Sequence, residues 1–362
     1  MTSGVALTLA ASVLVASSLG VAADRAGTGF SHKDWELACD NTGTCRAAGY
    51  QADGVQPAVS LLLVRKAGPR QEITAQVQLG SYDEQDAALA EGVTTLAIKA
   101  DGRLVGQVGL GGAGPGSPLS RDTVTALVPA LLQSSGVTFA SGKRVWKLST
   151  AGASAVLLKM DEVQGRIGTV GAVVRKGSKP EGGVLMATAP PVILAVPAAK
   201  DSRGPVLQAA QRAALLKELR KATSADDCAT LHDTGTKEQD IELQVERLSG
   251  TKLIASVVCE NFAYNQSSTF WLINPIPPFA PVTAVSDASS YDSGQISSAQ
   301  KGRGLGDCWS AETWTWDGKQ FVQTGASTTG MCRLVTPGGA WDLPTFVTTV
   351  RKSVSGTASG HQ

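Results

Sequence analysis

Six cysteines, Cys39, Cys45, Cys228, Cys259, Cys308 and Cys332, lie behind an apolar, small-residue N-terminus. An even cysteine count in an exported chain reads as a disulfide framework. Six thiols allow 15 connectivities. Proximity favours the sequential one, Cys39 with Cys45, Cys228 with Cys259 and Cys308 with Cys332. The loop closed by the last pair is worth roughly 3–4 kcal/mol on the chain-entropy account. Zinc or redox use fits poorly. Five residues separate Cys39 from Cys45, so there is no C-x-x-C, and His32, His232 and His361 have no ligand-like spacing. No metal and no cofactor is expected.

The export signal is residues 1–23. Gly4 to Val21 is rich in Ala, Val and Leu, and Val21-Ala22-Ala23 offers a small-x-small cleavage site. It departs from the usual pattern in having no Lys or Arg before the apolar run. No later segment is long and apolar enough to span a bilayer, so no membrane span is expected after cleavage. The expected address is the periplasm or the exterior.

The 362 residues carry a formal net charge of +1, with 43% hydrophobic and 17% charged residues. Near-neutrality argues against nucleic acid, which calls for a basic stripe. Forty glycines and few aromatics point to turns and short strands. The expected fold is α+β and β-rich: two antiparallel sandwich or meander-like domains with a few helices, stapled by disulfides.

The N-terminal domain is read as 24–176, with two helices. Asp34 to Cys39 and Thr44 to Gly49 are expected strands, followed by the apolar run Ala58 to Val64 and the alternating strand Ile73, Ala75, Val77, Leu79. Asp101-Gly102 marks a tight hairpin. Ser120 caps a helix that Pro129 should kink or split. A second helix runs from about Ala151 to Gln164. Its acidic pair Asp161 and Glu162 reads as a solvated edge or a partner of Arg166 rather than a catalytic dyad. The proline-rich stretch 177–205 is read as a linker, with Val192 to Val196 along a sheet edge. The C-terminal domain, 206–362, opens with a helix over Val206 to Ala222 and continues as antiparallel strands, including an Asp317-Gly318 hairpin.

No catalytic motif stands out. Gly109-Leu-Gly111-Gly-Ala-Gly114 matches G-x-G-x-x-G, but Pro115 and Pro118 follow where a helix should begin, so it reads as a loop. There is no G-x-S-x-G, H-E-x-x-H or P-loop. Trp314 and Trp316 share one strand face, which is either core or a platform for sugar rings or a protein partner.

The runs Phe30 to Arg46 (F-S-H-K-D-W-E-L-A-C-D-N-T-G-T-C-R), Lys159 to Gly168, Gly302 to Cys308, Trp314 to Phe321 and Met331 to Arg333 resemble an uncharacterised secreted bacterial family, domain of unknown function eleven-seventy-six. The part up to about Lys176 is also faintly similar in pattern to the invasion-associated locus B family. The resemblance implies a periplasmic or secreted protein of Gram-negative bacteria and carries over no catalytic residue.

The expected role is non-enzymatic binding of a protein or cell-wall glycan partner, one form being inhibition of a wall-degrading enzyme. Asp34 to Arg46 and Gly304 to Trp316 are the expected surfaces, with Trp35, Arg46, Trp314 and Trp316 as binding candidates. The alternative is a carboxylate-dependent hydrolase of envelope polysaccharide using Asp161, Asp307 or Asp317. Oligomeric state is not legible.

Overall fold

The computed structural model describes residues 27–111 and 116–353. The expected signal, His361 and the middle of the Gly109–Pro118 loop lie outside the described residues. Among these residues the fold is β-rich α+β, with several antiparallel sheets, five α-helices and three disulfides.

In chain order the first half contains β1 (Thr28–His32), β2 (Trp35–Cys39), β3 (Cys45–Tyr50), β4 (Val59–Arg65), β5 (Ile73–Leu79), α1 (Glu84–Ala90), β6 (Thr95–Ala100), β7 (Arg103–Gly109), β8 (Ser117–Pro118), α2 (Arg121–Gln133), β9 (Val137–Ser141), β10 (Arg144–Leu148) and α3 (Ala153–Val163). Six strands form one antiparallel sheet in the order β1-β2-β3-β4-β5-β8, and four form another, β10-β9-β6-β7. Between them and the helices lies a core that includes Trp35, Leu61, Leu96, Leu127, Phe139, Trp146 and Leu157.

The second half contains β11 (Val192–Ala195), α4 (Ala209–Ala222), α5 (Ala229–His232), β12 (Leu243–Arg247), β13 (Leu253–Asn261), β14 (Gln266–Ile273), β15 (Val282–Ala288), β16 (Ser290–Asp292), β17 (Gln295–Lys301), β18 (Trp309–Trp316), β19 (Phe321–Thr328), β20 (Leu343–Val347) and β21 (Thr349–Lys352). β12 to β15 and β16 to β20 are two antiparallel meanders, while β11 and β21 pair in parallel. One core cluster joins α4 to the first meander, and another joins the two meanders through Phe270, Ile296, Trp316 and Phe321.

The central strands β2 to β4 of the first sheet are buried on both faces, which explains the apolar run in β4, interrupted only at Ser60. Val59, Leu61 and Leu63 face the first core. Leu62 and Val64 face the other way, against Val335, Ala340, Trp341 and Leu343 from the far end of the chain. Side-chain bonds fix that cover: Trp341 Nε1 donates to Ser60 Oγ at 2.7 Å, and Asn41 Nδ2 donates to Val347 O at 3.0 Å. Gly116, at φ +85°, lies so close to the Trp341 ring that a Cβ there would overlap it. Residues 177–205 are tied down along their length: Thr188 N donates to Thr42 O, Val196 N to Trp316 O and Ala199 N to Leu248 O.

The cysteines pair sequentially, Cys39–Cys45, Cys228–Cys259 and Cys308–Cys332. The Asp101-Gly102 hairpin forms with both residues at positive φ, 46° and 80°. Three expectations are corrected. Helix α2 is continuous through Pro129, which sits on the exposed side, where water can serve the Thr125 carbonyl left free. Trp316 pairs with Phe321, so the second Asp-Gly turn is a four-residue loop, held by Asp317 Oδ1 accepting from Lys319 N and Gln320 N. Helix α4 starts at Ala209, where Gln208 and Gln211 form a reciprocal cap, leaving Val206 exposed.

Candidate functional site

A cleft of about 1070 Å³ lies on the first half. One wall is α2, where Val124, Val128 and Leu132 recur at intervals of four and so stack on one face. Beside them run Arg121, Thr125, Pro129 and Gln133. The rest of the lining comes mainly from the runs Gly171–Lys176 and Arg70–Ile73. Val128, Leu132, Ile73, Val173 and Val174 are all partly buried against the first core. The apolar surface of the cleft therefore continues inward as protein interior.

A buried carboxylate positions the Gly171–Lys176 run. Asp161, fully buried in α3, accepts from Val173 N at 2.7 Å and Val174 N at 2.9 Å through Oδ2. This corrects the expectation of a solvated acidic pair. Glu162 is solvated beside Lys159, but Asp161 points inward because the chain returns over it at 173–174. Burial pushes the Asp161 carboxyl up, opposed by the Val174 and Val173 amides and by Arg65 and Arg166.

Two arginines complete this substructure. Arg65, at the base of the cleft, donates from Nε to Gln71 O at 3.0 Å and from Nη2 to Gly171 O at 2.7 Å. Its Nη1 lies 3.5 Å from Asp161 Oδ1, and neither atom has a hydrogen-bond partner. Burial, with Arg166 nearby, lowers the Arg65 pKa to about 10, against the pull of Asp161 and Glu181, so it is charged at neutral pH. Arg166 is wholly enclosed. It donates to Gln164 Oε1, Glu181 Oε1 and the carbonyl of Gly68. Glu181 Oε2 in turn accepts from Arg70 N at 2.7 Å. The resulting group of two cations and two anions fixes both runs.

The mouth is cationic. Five basic and two acidic side chains line the cleft, a net +3 on a chain whose formal total is +1. Arg65 and Glu181 belong to the buried group, and Arg121 pairs with Glu72 at the surface. Arg70, Arg175 and Lys176 are exposed, and none makes a salt bridge among the described residues. Apart from Gln71, Thr125 and Gln133, the lining has no neutral polar side chain, and it contains no aromatic ring, His, Cys or Ser.

The residues singled out from the sequence lie elsewhere. Trp35 is fully buried, its Nε1 donating to Ser149 O at 2.8 Å, so it is core rather than surface. Arg46 is occupied by Asp40 at 2.8 Å. Trp316 is buried against Phe321, with ring centroids 5.5 Å apart, and Trp314 is half-buried on the same cluster. Trp35 and Arg46 sit on β2 and β3, Trp314 and Trp316 on β18, so the four do not form one surface. The Gly302–Cys308 segment is more open. Leu305 and Tyr264 are exposed, Trp309 is half-buried with Lys301 Nζ 5.3 Å over its ring, and Tyr82 donates to Leu305 O.

The carboxylates of the hydrolase alternative are also spread apart and occupied. Asp161 holds the cleft wall and Asp317 the β18–β19 loop. Asp307 accepts both arms of Arg303 and Leu334 N. Asp307 also approaches Cys308 and Cys332, but those sulfurs are joined in a disulfide and are not thiolate donors.

The cleft cations were missed because Arg65, Arg70, Arg121, Arg175 and Lys176 are scattered over four separate stretches and form no motif. The one available signal was Val128 and Leu132, which carry the apolar face past the core positions Val124, Leu127 and Leu131 of α2.

The family model described as Protein of unknown function (DUF1176) matches residues 29–348. Uncharacterized protein YpfG of Escherichia coli (strain K12) is 24% identical over 321 residues, covering 80% of this chain and 84% of that protein. No solved structure matches. Three disulfides point to an extracytoplasmic compartment. No helix among the described residues is long and apolar enough to cross a membrane.

Proposed function

This chain belongs to the DUF1176 family, and we propose that it is an exported, non-enzymatic envelope protein that binds an anionic ligand in the α2 cleft. The observation that carries this reading is the pairing of a cavity of about 1070 Å³, lined by apolar side chains of α2, with three exposed cations that make no salt bridge among the described residues. Ligand sites are concave, mostly apolar and furnished with a few placed polar groups. Clustered like charge on a near-neutral protein raises the local concentration of counter-charged ligand. The lining lacks a nucleophile and base within reach of each other, which favours binding over chemistry. Signal cleavage after Ala23, a periplasmic address and the division into domains 24–176 and 206–362 joined by 177–205 belong to the same proposal. One core cluster lies within the first half and another within the second, which supports the division, and a third is shared between them.

Isothermal titration of the mature chain with anionic probes tests the reading. At least one probe should bind with an affinity that falls when Arg70, Arg175 and Lys176 are changed together to Ala. Binding that ignores this triple substitution, or no binding by any anion, removes the cleft as the site.

A second reading concerns a protein or glycan partner at the Tyr264, Leu305 and Trp309 surface, favoured by its exposed aromatic and apolar groups. Inhibition of a wall-degrading enzyme is its concrete form. A lysozyme assay showing full activity in excess protein eliminates that form.

A further inference from the structure

We infer that the α2 cleft takes a single-chain acyl anion, with its tail along the Val124–Val128–Leu132 stripe and its carboxylate or phosphate head between Arg70, Arg175 and Lys176. This rests on the reading of the cleft as an anion site and names the ligand class.

Three observations separate an acyl anion from other anions. First, the apolar stripe is long. Three side chains at intervals of four along a helix span about 12 Å, and Ile73, Val173 and Val174 extend the apolar surface on the other walls. A free phosphate or a small dicarboxylate would leave that surface wet. Second, the lining has no aromatic ring and only three neutral polar side chains. A sugar is recognised by ring stacking and by many matched hydroxyl partners, so an acidic glycan finds little to hold here. Third, the cations are segregated. Arg70, Arg175 and Lys176 are exposed members of the lining, whereas the buried cation, Arg65, is already engaged by Asp161 and two backbone carbonyls. Charge at the rim and hydrocarbon inside is the polarity of an amphiphile. Lys and Arg also meet a lipid head without losing their own hydration, because their stems lie on apolar surface while the charge stays in water.

The wall that carries Arg175 and Lys176 is rigidly placed. Asp161 clamps its backbone at residues 173 and 174, and Arg65 clamps it at 171. The head-group site is therefore preorganised, which limits the ordering cost of binding.

The experiment uses the delipidated full mature chain and a saturated carboxylate series from butyrate to palmitate, with dodecanol as the uncharged match to laurate and sodium pyrophosphate as a tail-less anion. Affinity is expected to rise about three- to four-fold per methylene until the cleft is filled. Laurate should bind at least ten-fold tighter than dodecanol. Arg175→Ala with Lys176→Ala should erase that ten-fold difference and leave dodecanol unchanged. Both residues are exposed, so folding is preserved, and the thermal transition serves as the control. Pyrophosphate binding that depends on the same two residues, with no chain-length effect for the carboxylates, overturns the acyl class and leaves the anion site standing. Chain-length dependence that survives in the double variant with the head-group preference intact places the amphiphile elsewhere and overturns the inference. Failure of every anion to bind overturns both.

Discussion

At the scale of single residues, two ionic groups, one fully and one partly buried, set how this protein responds to mutation and pH. Arg166 is fully enclosed with Gln164, Glu181 and the Gly68 carbonyl as acceptors. Arg166→Met should lower unfolding free energy by about 3–5 kcal/mol, because it removes the charged donor from Glu181 Oε1 and leaves the buried Gly68 carbonyl without that donor. Arg166→Lys should not restore the loss, since an ammonium cannot reproduce the forked geometry. Urea unfolding measures both, and an unchanged midpoint in Arg166→Met would remove Arg166 from its structural role. Glu36 gives the pH prediction. Its Oε1 accepts from Tyr50 and from Met331 N, each at 2.6 Å. Burial raises its pKa in the fold, against the lowering by Tyr50, Met331 and Arg333. A carboxyl whose folded pKa is raised favours folding when protonated, and that contribution is lost as pH rises from the ordinary value of about 4.3 through the raised one. Glu36→Gln should therefore flatten the fall in stability over that interval, read by urea midpoints at pH 4 and pH 7. A fall of equal size in the variant would assign the effect to another group.

Among the elements, the disulfides differ in what they close. The sequence separations are 6, 31 and 24 residues for Cys39–Cys45, Cys228–Cys259 and Cys308–Cys332. The chain-entropy account gives about 2.2, 3.7 and 3.4 kcal/mol respectively. Paired Cys→Ser replacements should follow that order in thermal unfolding, with Cys39–Cys45 the mildest loss. A larger loss at Cys39–Cys45 than at Cys228–Cys259 would mean that the staple supports the first core instead of restraining the open chain. The hairpin at Asp101-Gly102, the alternation of β5 and the existence of α2, α3 and α4 were legible because each depends on neighbours within a few residues. The continuity of α2 through Pro129 was not, since it depends on which side of the helix faces water. Nor was the inward turn of Asp161, whose amide partners lie 12 and 13 residues later.

For the whole molecule, the decisive contact is the seating of residues 331–343 on the first sheet. Trp341→Ala should cost about 3–5 kcal/mol as a large-to-small change in a closed core, with loss of the bond to Ser60. Because that cluster draws on both halves, limited proteolysis between residues 177 and 205 should leave two fragments that co-elute on gel filtration, and Trp341→Ala should release them. Separate elution of the unmutated fragments would show that the shared cluster is too weak to hold the halves together.

Local pattern was enough to predict a β-rich chain, to favour sequential disulfides and to place the Asp101-Gly102 hairpin. Those features follow from periodicity, turn stereochemistry and cysteine proximity, all short-range in the chain. What covers the second face of β4, which tryptophans are core and where the cations gather were decided only by tertiary structure. Each of these depends on groups far apart in sequence. Leu62 meets Trp341, and Arg65 meets Asp161 and Gly171. An apolar run signals that a strand is buried, but not what buries it. Scattered arginines acquire a common direction only once the sheet, α2 and the returning loop have been packed together.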